Sequence, residues 1–553
     1  MSEGPGRRLR VALIALWLVV ALLALTWVAA GIPLRSAREA IVDGRAEDAA
    51  ARLRFWPRTR LRPQEYEQVL SAALLLAGRS DAADEWLGRA ARRSPDWFPA
   101  VDKREIGRLM INRGLYSDFL RWDAAVRVRR EPAEVRLYRA AAQMGEGRFD
   151  EARTTVESIR GSAVDPGRLA ALEAGIARRL EGSFPVVLDR AGQPIAIWQI
   201  ANRDLVAVNA DFEPLVDRGW GNLTLESTQG AISPATILET TLDSRVQRAA
   251  IAALGSYRGS LVAIDPRTGD LLAVATTRGS GEAENLAFAG MYEPGGAMAL
   301  VTGLAAIQKG EPSIFPLDCP GYLELDGGRL LDWAAHGRIE SFEEGVAVSC
   351  QVTLARLGLE AGWPAIESML DRLRFGGSAG LGTLDVPLGR RSGPVESTMV
   401  LAQTSAGHET VRLSALHLAM IASVVANEGT MTVPRLSRGR RSVLGDPIGI
   451  PSDRLMTRVV DVATARRMGE AMFASATHPR GSVRSAAGGG VPSIAVATGI
   501  GGDPLGGYDG IAVGYAPAEN PTIAFGFVAE NAGVADRAAA AILRQFLLEV
   551  PFE

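Results

Sequence analysis

The sequence predicts a multidomain protein with an N-terminal transmembrane helix, an all-α region of helical repeats and a C-terminal α/β domain. The first part is predicted from an uncharged run, and the second from glycines that recur about every 34 residues. The third is predicted because candidate elements follow the order strand, strand, helices, three strands and helix. We place the boundaries at 1–35, 36–182, 183–235 and 236–553, with the third segment as a linker or pedestal.

Length, charge and lysine content limit which partners and which catalytic groups this chain can have. A chain of 553 residues has room for two to four domains with a large core. The formal net charge of -3 and the pI of about 6.0 give no indication of a nucleic-acid partner. Arginine supplies nearly all positive charge, since Lys103 and Lys309 are the only lysines. Few positions can therefore supply a lysine for catalysis.

The membrane prediction rests on Val11–Ile32, which contains 22 residues and no charge. At about 1.5 Å per residue such a helix spans about 33 Å, enough for a bilayer core. Arginines 7, 8 and 10 precede it, which predicts a cytoplasmic N-terminus and an exported remainder. The alternative is a cleaved signal peptide ending near Val28-Ala29-Ala30, although the apolar run is long for one.

The region 36–182 carries a repeat. Around Gly78 the pattern is complete, because small residues, Trp86 and Pro95 follow it at fixed offsets. This pattern resembles the second helix of a tetratricopeptide repeat, in which small residues let paired helices pack closely. An irregular helical spacer is the alternative. The glycines that mark the period are Gly44, Gly78, Gly114 and Gly147, at spacings of 34, 36 and 33 residues.

The C-terminal domain contains several recognisable segments. Gly259–Val274 reads as a β-hairpin with a turn at Asp265-Pro266, and Tyr292–Ala299 leads into the apolar helix Leu300–Ile307. With the strand Ser493–Gly499 and a closing helix, these segments resemble the transpeptidase domain of bacterial penicillin-binding proteins. The resemblance implies a five-stranded antiparallel sheet covered by helices, and peptidoglycan stem peptides as ligands.

The resemblance fails where that family performs its chemistry. The family uses Ser-x-x-Lys for nucleophile and base, with Ser-x-Asn and Lys-Thr-Gly to position substrate. No Ser-x-x-Lys and no Lys-Thr-Gly occurs anywhere in this chain. The corresponding positions hold Gly296 and Ala299, then Ser349 and Gln351, and finally Ala497, Thr498 and Gly499.

The sequence shows no clear replacement for the missing nucleophile and base. Cys350 would lie near the cleft, but the nearest histidine in sequence, His336, is in no obvious pairing position. We expect a structural role for the cysteines or a Cys319–Cys350 disulfide in the exported domain. The four histidines show no metal-ligand spacing. The sequence therefore predicts no catalytic residue, no cofactor and no metal.

The functional hypothesis is a membrane-anchored, exported pseudoenzyme that binds cell-wall components or regulates peptidoglycan synthesis. The partners expected are peptidoglycan or its stem peptides and, through the helical repeats, cell-wall synthesis proteins. One alternative is an active D,D-transpeptidase or carboxypeptidase that uses non-standard residues. Another alternative makes the helical repeats the functional part, as a scaffold for protein partners.

Overall fold

The structure is a computed structural model. The predicted membrane segment Val11–Ile32 lies outside the described residues except for Trp17 and Ile32. No helix within the described part of the chain is long and apolar enough to cross a membrane. The described residues are 17, 32–54, 65–92, 98–180, 182–199, 201, 204–217, 224–226, 232–277, 285–326, 328–393, 395–448, 456–503, 507–533 and 538–552.

The N-terminal region is built from successive helices, as predicted. Residues 32–42 are helical, and the four predicted glycines lie in turns between helices with φ between +72° and +81°. Glycine adopts this left-handed conformation without the Cβ clash that other residues meet. Among the described residues of this region, eight further helices follow: α1 (Ala46–Arg54), α2 (Tyr66–Leu76), α3 (Ser80–Arg92), α4 (Ala100–Asn112), α5 (Tyr116–Ala125), α6 (Ala133–Gly145), α7 (Phe149–Glu157) and α8 (Pro166–Leu180).

The helical region is joined to the segment that follows it by buried polar contacts. Tyr116 donates a hydrogen bond to the carbonyl of Ala235 at 3.3 Å, and Arg179 Nε donates to the carbonyl of Pro234 at 2.7 Å. Burial raises the pKa of Tyr116 and lowers the pKa of Arg179 to about 10. Because these polar groups are buried at the contact, the helices form a docked layer here.

The predicted linker is part of a folded sheet. Its strands β1 (Phe184–Leu188), β2 (Pro194–Gln199) and β3 (Asp204–Ala207) join β4 (Thr236–Thr240), β16 (Ser437–Ser442) and β17 (Pro447–Ile448). The order is β17-β16-β4-β1-β2-β3, and the β1–β4 pair is parallel while its neighbours are antiparallel. The five-stranded antiparallel sheet expected from the resemblance is therefore accompanied by this mixed sheet, which the sequence did not predict because distant segments complete it.

The predicted five-stranded antiparallel sheet forms the centre of the C-terminal domain. Its order is β19-β20-β21-β5-β6, and every neighbouring pair is antiparallel. The predicted hairpin 259–274 supplies its last two strands. The strands are β5 (Gly259–Ile264), β6 (Leu271–Thr277), β19 (Ala495–Asp503), β20 (Gly507–Ala516) and β21 (Ile523–Ala529).

Helices cover both faces of this sheet. Helices α10 (Ser244–Leu254) and α19 (Ala538–Glu549) share one apolar cluster with one face. On the other face α17 (Ala415–Ala426) crosses β21, where a Cβ on Gly526 would lie 2.3 Å from the Cβ of Leu418. Glycine is required at this crossing because any side chain would push the helix away from the strand.

The apolar helix predicted after Gly296 is α12 (Ala299–Lys309), and every residue from Ala299 to Ala306 is buried. It is packed against other helices, as its lack of charge predicted. The remaining helices are α9 (Glu213–Val216), α11 (Leu286–Ala289), α13 (Phe342–Ala347), α14 (Gln351–Ala361), α15 (Trp363–Arg372), α16 (Thr398–Ala406) and α18 (Val462–Thr477), with 3-10 turns at Ala210–Phe212, Gly295–Met298 and Arg484–Ala486. The remaining short strands are β7 (Leu317–Cys319), β8 (Tyr322–Leu325), β9 (Gly328–Leu331), β10 (Gly337–Ile339), β11 (Ser378–Leu381), β12 (Leu384–Pro387), β13 (Arg390–Arg391), β14 (Val411–Arg412), β15 (Thr430–Thr432) and β18 (Met456–Arg458).

Candidate functional site

The three sequence segments expected to form a site come from three elements of the C-terminal domain. A 3-10 turn that leads into α12 provides the first, the junction of α13 and α14 provides the second, and the edge strand β19 provides the third. All of the positions are buried. We call them the motif site: Gly296, Ala299, Ser349, Gln351, Ala497, Thr498 and Gly499.

The centre of the motif site is filled by a serine from the second segment. A Cβ on Gly296 would lie 2.2 Å from Ser349 Oγ and 2.5 Å from the carbonyl oxygen of Thr498. The Ser349 hydroxyl donates a hydrogen bond of 2.7 Å to that same carbonyl. The three segments therefore meet at one point, and Ser349 occupies the space that a side chain at position 296 would need.

The backbones on either side of this point are in direct contact. A Cβ on Gly499 would lie 1.9 Å from the carbonyl oxygen of Pro294, and one on Gly501 would lie 2.4 Å from that of Glu293. A Cβ on Gly295, which has φ +50°, would lie 2.3 Å from the carbonyl oxygen of Ile500. Real Cβ atoms do not approach carbonyl oxygens so closely, so only glycine permits this packing. A peptide cannot enter between strand and turn unless they separate.

The positions that would hold amines are part of the apolar core. Ala299 and Ala497 are both at most 2% exposed and belong to the same hydrophobic cluster. The two lysines bond elsewhere: Lys309 Nζ donates to the carbonyls of Glu360 and Ala361, and Lys103 pairs with Asp123 at 2.7 Å. The described residues thus offer no lysine to Ser349, whose hydroxyl bonds to a carbonyl.

Titratable groups beside the 3-10 turn are paired with one another. Tyr292 donates to Glu530 Oε1 at 2.7 Å, and burial raises the pKa of this tyrosine. Arg412 donates to Glu293 Oε1 at 3.0 Å. The contact with His408, whose Nδ1 lies 3.8 Å from Glu293 Oε2, is the main reason that the pKa of Glu293 is lowered. These contacts tie the turn to its neighbours and leave its charged groups neutralised.

A second group of chemically competent side chains lies close to Ser349. We call Cys319, Asp332, His336 and Cys350 the His336 cluster; one ligand-type atom from each lies within 4.8 Å of the others. Asp332 Oδ2 is 3.5 Å from Cys319 Sγ, 3.2 Å from Cys350 Sγ and 3.6 Å from His336 Nδ1. The distance between Cys319 Sγ and His336 Nδ1 is 3.6 Å. Both cysteines are free and buried, so the structure contains no Cys319–Cys350 disulfide.

Burial and mutual hydrogen bonds shift the protonation of the cluster. The neighbouring Cys350 thiol is the main cause that lowers the pKa of Cys319 to about 5, whereas burial raises the pKa of Cys350. Burial opposes charge on His336, but its polar contacts with Asp332 and Cys319 outweigh burial and raise its pKa to about 9. Thiolate, imidazole and carboxylate at these distances are a donor set suited to a metal ion.

The same C-terminal region matches known proteins. Residues 259–548, more than half of the chain, match the family described as the penicillin-binding protein transpeptidase domain. This chain belongs to that family. Peptidoglycan D,D-transpeptidase PbpA of Mycolicibacterium smegmatis is 26% identical over 342 residues, which cover 54% of this chain and 67% of the relative. Peptidoglycan D,D-transpeptidase MrdA of Acinetobacter baumannii is 25% identical over 236 residues, which cover 36% and 35%.

Solved structures of the family share its fold. The crystal structure of PBPA from Mycobacterium tuberculosis superimposes with a TM-score of 0.57 at 21% identity, over 66% of this chain and 98% of that one. The chain thus spans only about a third of MrdA but nearly all of the solved PBPA chain. In this chain the three segments of the motif site are in contact with one another.

The sequence did not predict the His336 cluster. The four histidines show no metal-ligand spacing among themselves, and the other donors of the cluster are not histidines. The ligand atoms come from separate segments, β7, the loop after β9 and the start of α14, brought together by folding. The available signal was a mixed set of two Cys, one Asp and one His within residues 319–350.

Proposed function

We propose that this chain is a penicillin-binding protein without transpeptidase activity, anchored in the bacterial cytoplasmic membrane. Its bulk is extracytoplasmic, and its role in peptidoglycan synthesis is binding or regulation. The observation that carries the proposal is the closed motif site, in which Ser349 fills the place of a side chain at Gly296. The membrane anchor rests on the uncharged run Val11–Ile32 and the arginines before it.

Acyl transfer by this family's chemistry needs a hydroxyl that can reach the substrate carbonyl and a base that accepts its proton. Gly296 supplies no hydroxyl and Ala299 supplies no amine. At Gly499 the strand β19 and the turn are in backbone contact, so a stem peptide has no space between them. Substrate binding at this place would require the strand and the turn to move apart, which costs the buried contacts between them.

An active D,D-transpeptidase remains the second candidate because of one specific observation. The Ser349 hydroxyl lies 2.2 Å from the position of a Cβ on Gly296, so this serine could replace the missing nucleophile after a rotamer change. Two relatives are named as peptidoglycan D,D-transpeptidases. Against this reading, the hydroxyl is buried and its partner is a backbone carbonyl, which cannot act as a general base.

Labelling with penicillin G separates the two candidates. The full chain is incubated with penicillin G and measured by intact-protein mass spectrometry, and we expect no covalent adduct. PBPA of Mycobacterium tuberculosis, which forms a penicillin G acyl-enzyme, is the positive control. An adduct mapped to Ser349 would overturn the proposal and establish the second candidate, and the variant Ser349→Ala would then abolish the adduct.

The helical region offers the surface for a protein partner if the motif site binds none. Stacked helical hairpins form an extended concave surface that suits a segment of another protein. We propose cell-wall synthesis proteins as the partners, because the anchor would hold these helices next to the membrane. In this reading the transpeptidase domain supports the helices through contacts such as Tyr116 with Ala235.

A further inference from the structure

We propose that the His336 cluster binds one zinc ion, and that this ion holds Ser349 in the position that closes the motif site. The inference starts from four buried or nearly buried side chains whose donor atoms converge on one point. The metal site itself does not depend on the proposed loss of activity. Only the closing role rests on that proposal, so the two can fail separately.

The distances within the cluster favour a tetrahedral ion. With Zn–S bonds of about 2.3 Å and Zn–N or Zn–O bonds of about 2.0 Å, tetrahedral ligand atoms lie about 3.3–3.8 Å apart. Asp332 Oδ2 is 3.2–3.6 Å from its three neighbours, and Cys319 Sγ is 3.6 Å from His336 Nδ1. Two thiolates with one imidazole and one carboxylate select zinc over magnesium or calcium, which prefer oxygen ligands.

Binding offsets most of the negative charge of the site. Any protons on the thiols of Cys319 and Cys350 and on His336 Nδ1 pass to solvent, so the ligands are two thiolates, the Asp332 carboxylate and a neutral imidazole. Two thiolates and the Asp332 carboxylate then carry three negative charges against the two positive charges of the ion. The side chains of Asp332 and His336 are 0% and 7% exposed, so an ion there would be shielded from water. The four protein ligands would fill all four coordination positions of the ion, which is typical of a structural zinc site.

The cluster is positioned to control Ser349 from both sides. Cys350 follows Ser349 directly in the chain, and Trp333, next to Asp332, donates from Nε1 to the Ser349 carbonyl at 3.0 Å. Ser349 itself has φ +55°, a conformation that serine rarely adopts and that its surroundings must hold. The loop carrying His336 is fixed by Arg480, which donates to the His336 carbonyl at 2.6 Å. An ion joining these segments would therefore hold the strained residue in place.

The metal site is tested on the full chain purified without chelator. Mass spectrometry of the intact protein under native conditions should show one zinc per chain, and the two thiols should resist alkylation until a zinc chelator is added. His336→Gln and Cys350→Ser should each lower the affinity for added zinc by at least about 100-fold, because each removes a ligand. The control His478→Gln, at a histidine that is 30% exposed and pairs with Glu344, should keep its zinc.

Zinc-free protein with a Cys319–Cys350 disulfide, seen as linked peptides without reduction, would overturn the metal site. So would thiols that alkylate equally fast with and without chelator. The second measurement needs no variant and covers the case in which the substitutions prevent folding. Stoichiometric zinc that survives all ligand substitutions would also refute this assignment.

The closing role is tested by hydrogen exchange of the wild-type chain before and after chelation. We expect exchange to rise at least about tenfold in segments 345–352 and 495–500, where the ion and the Ser349 hydrogen bond act. Helix α19, on the opposite face of the sheet, should keep its exchange rate. Unchanged exchange at Ser349 after zinc removal would leave the metal site standing and overturn its closing role.

Discussion

The motif site and the His336 cluster meet at Ser349 and Cys350 and differ in what they contain. In the motif site, glycine and alanine stand where the family resemblance implies a hydroxyl and amines. The cluster, which includes the residue after Ser349, gathers two thiols, an imidazole and a carboxylate. The first site is closed by backbone contact, whereas the second is held together by polar side chains.

This difference shows that the backbone packing of this fold can be kept while the reactive side chains are absent. Close glycine contacts allow β19 to pack on the turn before α12 without any reactive side chain. Reactive side chains can be used nearby to stabilise the segment that fills the empty place. We therefore expect changes at the motif site to act on stability, and changes at the cluster to act on metal content and local exchange.

The largest effect is expected from a charge in α12, the helix on which the motif site depends. Leu304 is fully buried, so Leu304→Asp places an unpaired carboxylate in the core at a cost of several kcal/mol. That cost is comparable to the stability of a whole domain, about 5–15 kcal/mol, so the variant should not fold. Thermal melts followed by circular dichroism measure whether the variant folds. Leu548→Asp, at a leucine that is 48% exposed, is the matched control, and equal melting of both variants would contradict the placement of α12.

The first residue of the same helix gives a second test of its burial. Ala299 is 2% exposed and packed in the main apolar cluster. A lysine there would bring a charge into that cluster, so we expect Ala299→Lys to destabilise the domain by several kcal/mol.

The next largest effect is a pH dependence of stability that comes from His417, a histidine buried in the core and outside the His336 cluster. His417 in α17 accepts from the Gly389 amide at Nδ1 and donates from Nε2 to the carbonyl of Leu373, so its neutral form satisfies both neighbours. Burial lowers its pKa to about 4, below the ordinary value of about 6.5. As pH falls, the unfolded chain is protonated first, so the stability from His417 is present above about pH 6.5 and lost towards pH 4.

The expected loss is roughly 3 kcal/mol, since each unit of pKa difference corresponds to about 1.4 kcal/mol. Urea unfolding at pH 7.5 and at pH 4.5 measures it. His417→Gln should remove most of this pH dependence while lowering stability at neutral pH. The exposed His478→Gln should leave the dependence intact. A parent protein equally stable at both pH values would contradict the buried neutral imidazole.

Sequence predicted the parts of the molecule that local pattern controls. The hairpin at 259–274 follows from two β-rich runs around Asp-Pro, and the burial of α12 follows from its lack of charge. The mixed sheet could not be read from sequence, because β16 joins β4 from about 200 residues away. The closure at Gly499 was equally hidden, since only the folded backbone shows what its missing Cβ would meet.

A third, smaller effect tests the closure directly. In Gly499→Ala the new Cβ would lie 1.9 Å from the carbonyl oxygen of Pro294, so β19 must move off the turn. Overpacking of this kind typically costs about 1–3 kcal/mol. Gly439→Ala in β16, where nothing lies within 4 Å of the new Cβ, is the matched control and should change stability little. Equal unfolding midpoints in urea for the two variants would show that the backbones are not in contact.

The smallest effect separates filling by Ser349 from simple loss of a side chain. Gly296→Ser places its Cβ 2.2 Å from Ser349 Oγ, so one of the two side chains must move. Ser349→Gly frees that space and suits the φ of +55°, but it removes the hydrogen bond to Thr498. Each single change should cost about 1 kcal/mol, whereas the double variant should cost less than their sum. A double-mutant cycle from urea unfolding measures the coupling. We expect a coupling of about 1 kcal/mol, since the double variant relieves the contact with Ser349, while the 2.5 Å contact with the Thr498 carbonyl oxygen remains in both Gly296→Ser variants. Strictly additive costs would mean that Ser349 does not fill the place left by Gly296, and that the site is closed by backbone contact alone.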